Sequence, residues 1–192
     1  MMNRRQIFSV LGAGLLMYPT GGLAISSPLS VVATTGMIAD LIQNVGGSLL
    51  NVNSIMGPGV DPHSYRHTRG DILIMAKADA VFYHGLDLEV QMFDFFEQLS
   101  AKRKVRAITE GISKSKLLAY EDYENAYDPH IWMDPMIWAE TIDPLVDTLS
   151  QIIPEQRDIL TANAAAYRAQ LHALDGYSKE VLSSVPSESA IL

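Results

Sequence analysis

Two short stretches of this chain carry residue types that hold metal ions, and they carry them in the same order. Asp61-Pro62-His63 and Asp128-Pro129-His130 each set an imidazole two residues after a carboxylate, with a proline between them. Proline fixes its own φ and restricts the residue before it, so each histidine projects from a stiff loop. A neutral imidazole is a common ligand for divalent transition metals, and a nearby carboxylate can fix its tautomer or support the loop. A lone histidine is ordinarily a partly buried, hydrogen-bonded side chain, but two in one local setting argue for a shared task. The sequence has no cysteine, which leaves His, Asp, Glu, backbone and water as ligands.

Other chemistry-bearing residues have simpler readings. His67 is four residues after His63, but Thr68 reads as a helix cap between them and a shared helical face, so ligation is not expected of it. His172 falls on a long polar-faced helix and reads as solvated, while His84 follows a buried strand and reads as structural or as a support for the ligands. Asp61, Asp128 and Asp134 are read as supports or caps, and Tyr65, Trp132 and Met133 as packing on the floor of a cleft. A secreted metal hydrolase using the two histidines with Asp128 or Asp134 is the rival from another class. It requires an open coordination position and a tuned base, and no His-Glu-x-x-His, Gly-x-Ser-x-Gly or paired-carboxylate signature supports it. A surface adhesin is a third reading. No Gly-rich phosphate loop ending in Lys-Ser or Lys-Thr is present, so nucleotide binding is not expected.

Charge narrows the partners. A net charge of −8 argues against the basic footprint that nucleic acid requires, and suits capture of cations. Arg4 and Arg5, the apolar stretch from Ile7 to Met17 and the ending Gly22-Leu23-Ala24 have the form of a secretory signal peptide over residues 1–24. Its removal discards two arginines and no acid, taking −8 to −10. Asn3-Arg4-Arg5-Gln6-Ile7-Phe8 also loosely resembles a twin-arginine signal. The expectation is a monomeric periplasmic protein, with no later stretch apolar enough to span a bilayer.

The elements that must position the histidines alternate. Leu29 to Ala33 reads as a buried strand, and Thr34-Thr35 caps a helix with apolar residues at Met37, Ile38, Leu41, Ile42 and Val45. Val52 to Met56 is a second strand, and Thr68 with Asp71 forms a capping box for a helix through Ala78. Ala80 to His84 is a third strand, Leu86 to Leu99 an amphipathic helix, and Lys104 to Thr109 a fourth strand. Residues 111–128 read as a polar surface loop. Asp134-Pro135 opens a helix broken or kinked near Pro144, and Pro154 opens a very long one, to about Ser184. This is an α/β pattern: a four-stranded parallel sheet flanked by helices, with ligands expected at the carboxyl ends of the strands. The division expected is a metal-binding lobe over 25–153, a long helix over 154–185 that acts as a strut between lobes, and the first strand of a further lobe over 186–192.

Four stretches, in their order and spacing, resemble solute-binding protein family 9, the TroA-like or cluster A-I zinc and manganese receptors of bacterial ABC importers. They are residues 32–40 (Val-Ala-Thr-Thr-Gly-Met-Ile-Ala-Asp), 57–65 (Gly-Pro-Gly-Val-Asp-Pro-His-Ser-Tyr), 78–89 (Ala-Asp-Ala-Val-Phe-Tyr-His-Gly-Leu-Asp-Leu-Glu) and 128–135 (Asp-Pro-His-Ile-Trp-Met-Asp-Pro). The resemblance implies two α/β lobes joined by one rigid helix, a metal in the cleft between them, and delivery to a permease driven by its ATPase. It implies that His63 and His130 are the amino-terminal lobe's two ligands, that a His or Glu and an Asp come from the second lobe, and that the protein is not an enzyme. His84 stands where the family often has Asn. Zinc receptors of this group commonly carry a His-rich loop between the two ligands, whereas residues 111–128 contain no histidine. Manganese is therefore expected ahead of zinc, with ferrous iron a further option.

Overall fold

The computed structural model describes residues 27–120 and 126–186. The expected leader and residues 187–192 lie outside that range. Four strands form one parallel sheet in the order β2-β1-β3-β4: β1 (Leu29–Ala33), β2 (Leu50–Ser54), β3 (Ala80–Tyr83) and β4 (Lys104–Ala107). Val31 pairs with Val52 on one side and Ala80 on the other, so β1 is central and the strand order reverses beside it. Ligands collect at such a switch point, outside the carboxyl ends of the strands.

Both faces of the sheet are covered, and the alternation of side chains decides which helices go where. Val31, Ala33, Ala80 and Phe82 point into a core shared with α1 (Gly36–Gly46), α4 (Pro135–Trp138), α5 (Ile142–Ile152) and α6 (Arg157–Ser183). Val32 and Val81 point to the other face, against Met75 of α2 (Arg69–Lys77) and Phe96 of α3 (Phe93–Ser100). Thr35 caps α1 as expected, and Thr68 with Asp71 makes the complete capping box of α2.

The long helix packs along a stripe of Leu160, Ala164, Tyr167 and Leu171. Asn163 Nδ2 donates to the Val45 carbonyl at 3.0 Å and Arg168 Nη1 to the Ala139 carbonyl at 2.9 Å, tying it to the lobe. Past Leu171 its apolar residues are exposed, Tyr177 and Leu182 among them.

Two expectations are corrected. The amphipathic run from Leu86 to Leu99 is not one helix: Gly85, Leu86 and Asp87 all have positive φ, a 3-10 turn covers Val90–Met92, and α3 starts only at Phe93. The helix opened by Asp134-Pro135 breaks ahead of Pro144, in the 3-10 turn Ala139–Thr141, and Pro144 sits inside the first turn of α5, where no helical N–H is required of it. The segment between β4 and α4 also has order of its own, since Tyr120 N donates to the Ala126 carbonyl and Asp128 N to the Leu118 carbonyl.

Candidate metal centre

Each Asp-Pro-His stretch folds into a turn held by its own carboxylate. Asp61 Oδ1 accepts the His63 backbone N–H at 3.0 Å, and Oδ2 accepts the Ser64 hydroxyl at 2.7 Å. Those bonds, with the Ser64 hydroxyl the largest contributor, lower the Asp61 pKa. In the second stretch Asp128 Oδ1 accepts the His130 backbone N–H at 2.9 Å and meets the His130 ring at Nδ1, 2.6 Å away. The backbone bond leads in lowering the Asp128 pKa, so the group is a carboxylate. A carboxylate only accepts, hence Nδ1 carries the proton and Nε2 presents its lone pair. His130 itself has φ −77° and ψ 39°, and the Ile131 N–H returns to the Pro129 carbonyl at 2.8 Å, a three-residue inverse γ-turn with His130 at its centre.

The fold brings the two histidines together at the carboxyl end of the sheet. Their ring centroids are 5.4 Å apart and the ring planes are inclined by 46°. Two imidazoles on one tetrahedral ion, with bonds of about 2.1 Å, would have centroids roughly 5 Å apart. Both side chains are exposed. Among the described residues, no cluster of three or more His, Cys, Asp or Glu is arranged to hold an ion.

Beneath the pair lies an aromatic floor. Trp132 contacts the His130 ring at 5.1 Å and the His84 ring at 5.3 Å, edge to face, and His84 stacks against Trp138 at 6.3 Å. His84 is fully buried, and burial pushes its pKa down to about 4, so the ring is neutral. His67 stacks on Phe95 at 4.9 Å, and His172 is exposed on α6. Tyr65 donates to Asp71 at 2.7 Å, and Asp134 caps α4 by accepting from Met136 N and Ile137 N. Met133 departs from its expected place on the floor: it is 78% exposed, because the 3-10 turn Ile131–Met133 buries Ile131 and turns the third residue outward.

Glu89 was given no role by sequence reasoning, yet it organises the loop below the site. Its buried carboxyl accepts the Thr34 hydroxyl at 2.6 Å and the backbone N–H groups of His84 at 2.8 Å and Gly85 at 3.3 Å. Burial raises its pKa, and those bonds partly offset the effect. A Cβ on Gly85 would lie 2.5 Å from Thr109 Oγ1, so glycine is needed there for space as well as for its φ of 88°. The signal was available: an acid four residues after a glycine, inside a stretch too apolar to be a solvated face.

Similarity to known proteins fits this arrangement. The chain is 34% identical over 185 residues to the manganese-binding lipoprotein MntA of Bacillus subtilis, covering 96% of this chain and 59% of that one. It is 37% identical over 162 residues to the zinc-binding protein TroA of Treponema pallidum, covering 84% and 52%. The solved structure of TroA superposes with a TM-score of 0.80 at 36% identity, over 84% of this chain and 57% of that one. The chain thus spans between half and three-fifths of the length of the relatives it matches. The family model described as zinc-uptake complex component A, periplasmic (ZnuA), matches residues 31–192, and the chain belongs to that family.

Proposed function

We propose that this chain is the amino-terminal, metal-capturing part of an extracytoplasmic receptor that delivers a divalent transition metal to an ABC permease. The observation that carries the reading is the pair of imidazoles, 5.4 Å apart, each on a carboxylate-held Asp-Pro-His turn. In this reading Nε2 of His130 and a ring nitrogen of His63 bind the ion, and Asp128 holds the His130 tautomer. Further ligands come from outside the described residues, from the second lobe that the relatives' greater length allows for. The helix Arg157–Ser183 then serves as the strut between lobes. Capture involves no bond-making beyond coordination, so the protein acts as a receptor and not as an enzyme, with energy for transport supplied by a partner ATPase.

Relatives named for manganese, zinc and iron support the metal class. We favour manganese over zinc because no histidine falls in residues 111–128. A location in the periplasm and a monomeric receptor belong to the same proposal. Calorimetric titration with zinc and manganese tests the site. His63→Ala and His130→Ala should each weaken binding at least tenfold, while His67→Ala and His172→Ala leave it within about twofold. Wild-type affinity in His130→Ala would overturn the assignment.

A further inference from the structure

His84 lies wholly inside the lobe, yet neither of its ring nitrogens meets a hydrogen-bond partner among the described residues. A neutral imidazole has one donor and one acceptor, and leaving them unmatched in the interior costs about 1–3 kcal/mol. Phenylalanine or leucine would fill the space between Trp132 and Trp138 without that cost, so packing alone does not account for a histidine here. Its surroundings point upward, to the metal pair. The ring touches Trp132, which touches His130, which faces His63. The Pro129 carbonyl faces the ring closely enough to offset part of what burial does to it. That carbonyl already accepts the Ile131 N–H, and a carbonyl oxygen has a second lone pair free for another donor.

We propose that His84 is a positioning residue for the metal pair: its ring N–H donates to the Pro129 carbonyl and locks the γ-turn that aims His130. A γ-turn has a single i→i+2 bond to define it, so a second bond from the core to the same carbonyl removes its main freedom to rotate. The Asp128 carboxylate then fixes the ring of His130, while His84 fixes the backbone from which that ring projects. This inference rests on His130 being a ligand, as proposed above.

Three variants of the whole chain separate the possibilities. His84→Phe keeps the ring volume and removes both nitrogens, whereas His84→Asn and His84→Gln place an amide N–H near the positions of Nδ1 and Nε2. Zinc titration should show a loss of about tenfold in His84→Phe, which is 1.4 kcal/mol, with Asn or Gln restoring affinity to within threefold of wild type. His63→Ala runs alongside: if it retains wild-type affinity, the metal-site reading fails, whereas loss in His63→Ala with none in a folded His84→Phe overturns only the role of His84. Nitrogen-15 NMR of the metal-free wild type decides the bond itself, even should His84→Phe not fold. A single neutral tautomer with a slowly exchanging ring N–H supports the proposal, and a rapidly exchanging mixture of tautomers overturns it.

Discussion

The Asp128 carboxylate reaches two donors of one residue: with Oδ1 it accepts the backbone N–H of His130 and meets that residue's Nδ1 at 2.6 Å. Asp61 bonds only the backbone of His63 and spends its other oxygen on Ser64. The two turns share a sequence but not a function: one fixes a ring, the other only a chain direction.

Asp128→Asn should therefore weaken metal binding about tenfold, because an amide no longer requires the proton to sit on Nδ1 and the His130 tautomer is released. Asp61→Asn should cost less, since its loss loosens a turn and leaves the ring unaffected. Parallel titrations of both variants with zinc would check the order. An equal effect of the two would remove the distinction drawn between the turns.

Acid should loosen the lobe through His84. Its folded pKa, about 4, lies below the value of about 6.5 expected in an unfolded chain. A depressed folded value means that the neutral ring's contribution is fully present above about 6.5 and is lost as the pH falls through 4, by at most about 3 kcal/mol. Urea denaturation of the metal-free protein at several values between pH 7 and 4 should show this slope, and His84→Phe should flatten it. Parallel losses in both proteins would contradict a buried neutral ring.

Gly85→Ala should destabilise the fold by roughly 2–4 kcal/mol, combining a left-handed φ with overpacking against Thr109 and Ala107. Gly59 also has positive φ but has open space around it, so Gly59→Ala should cost only about 1–2 kcal/mol. Comparing the urea midpoints of the two variants would measure the part due to space.

The ion itself is best read from protein made in its own cells. Nitrogen and oxygen ligands bind zinc more tightly than manganese whatever the biological choice, so affinity alone does not decide. Metal analysis of protein purified from the native periplasm, without added metal, should recover manganese. Stoichiometric zinc without manganese, from cells replete in both, would end that preference.

Much of this lobe was legible in one dimension because its signals are local. Strand β1 is an unbroken apolar run, Thr68 and Asp71 form a cap within four residues, and Asp-Pro-His is stiff by covalent geometry. The metal pair stood out as one tripeptide written twice. What local pattern does not contain is direction in space. Leu86 to Leu99 has helical periodicity, yet Glu89 turns inward to satisfy three donors from two other segments, and the chain takes a left-handed turn to allow it. Met133 is apolar, yet it faces outward because Ile131 takes the buried side of the same short turn. His63 and His130 are 67 positions apart in the chain, and only the crossing of the chain at β1 and β3 sets their rings 5.4 Å from each other. The sequence determined which groups could bind and how stiffly each is held; burial and strand order, which depend on residues far apart, decided which of them meet.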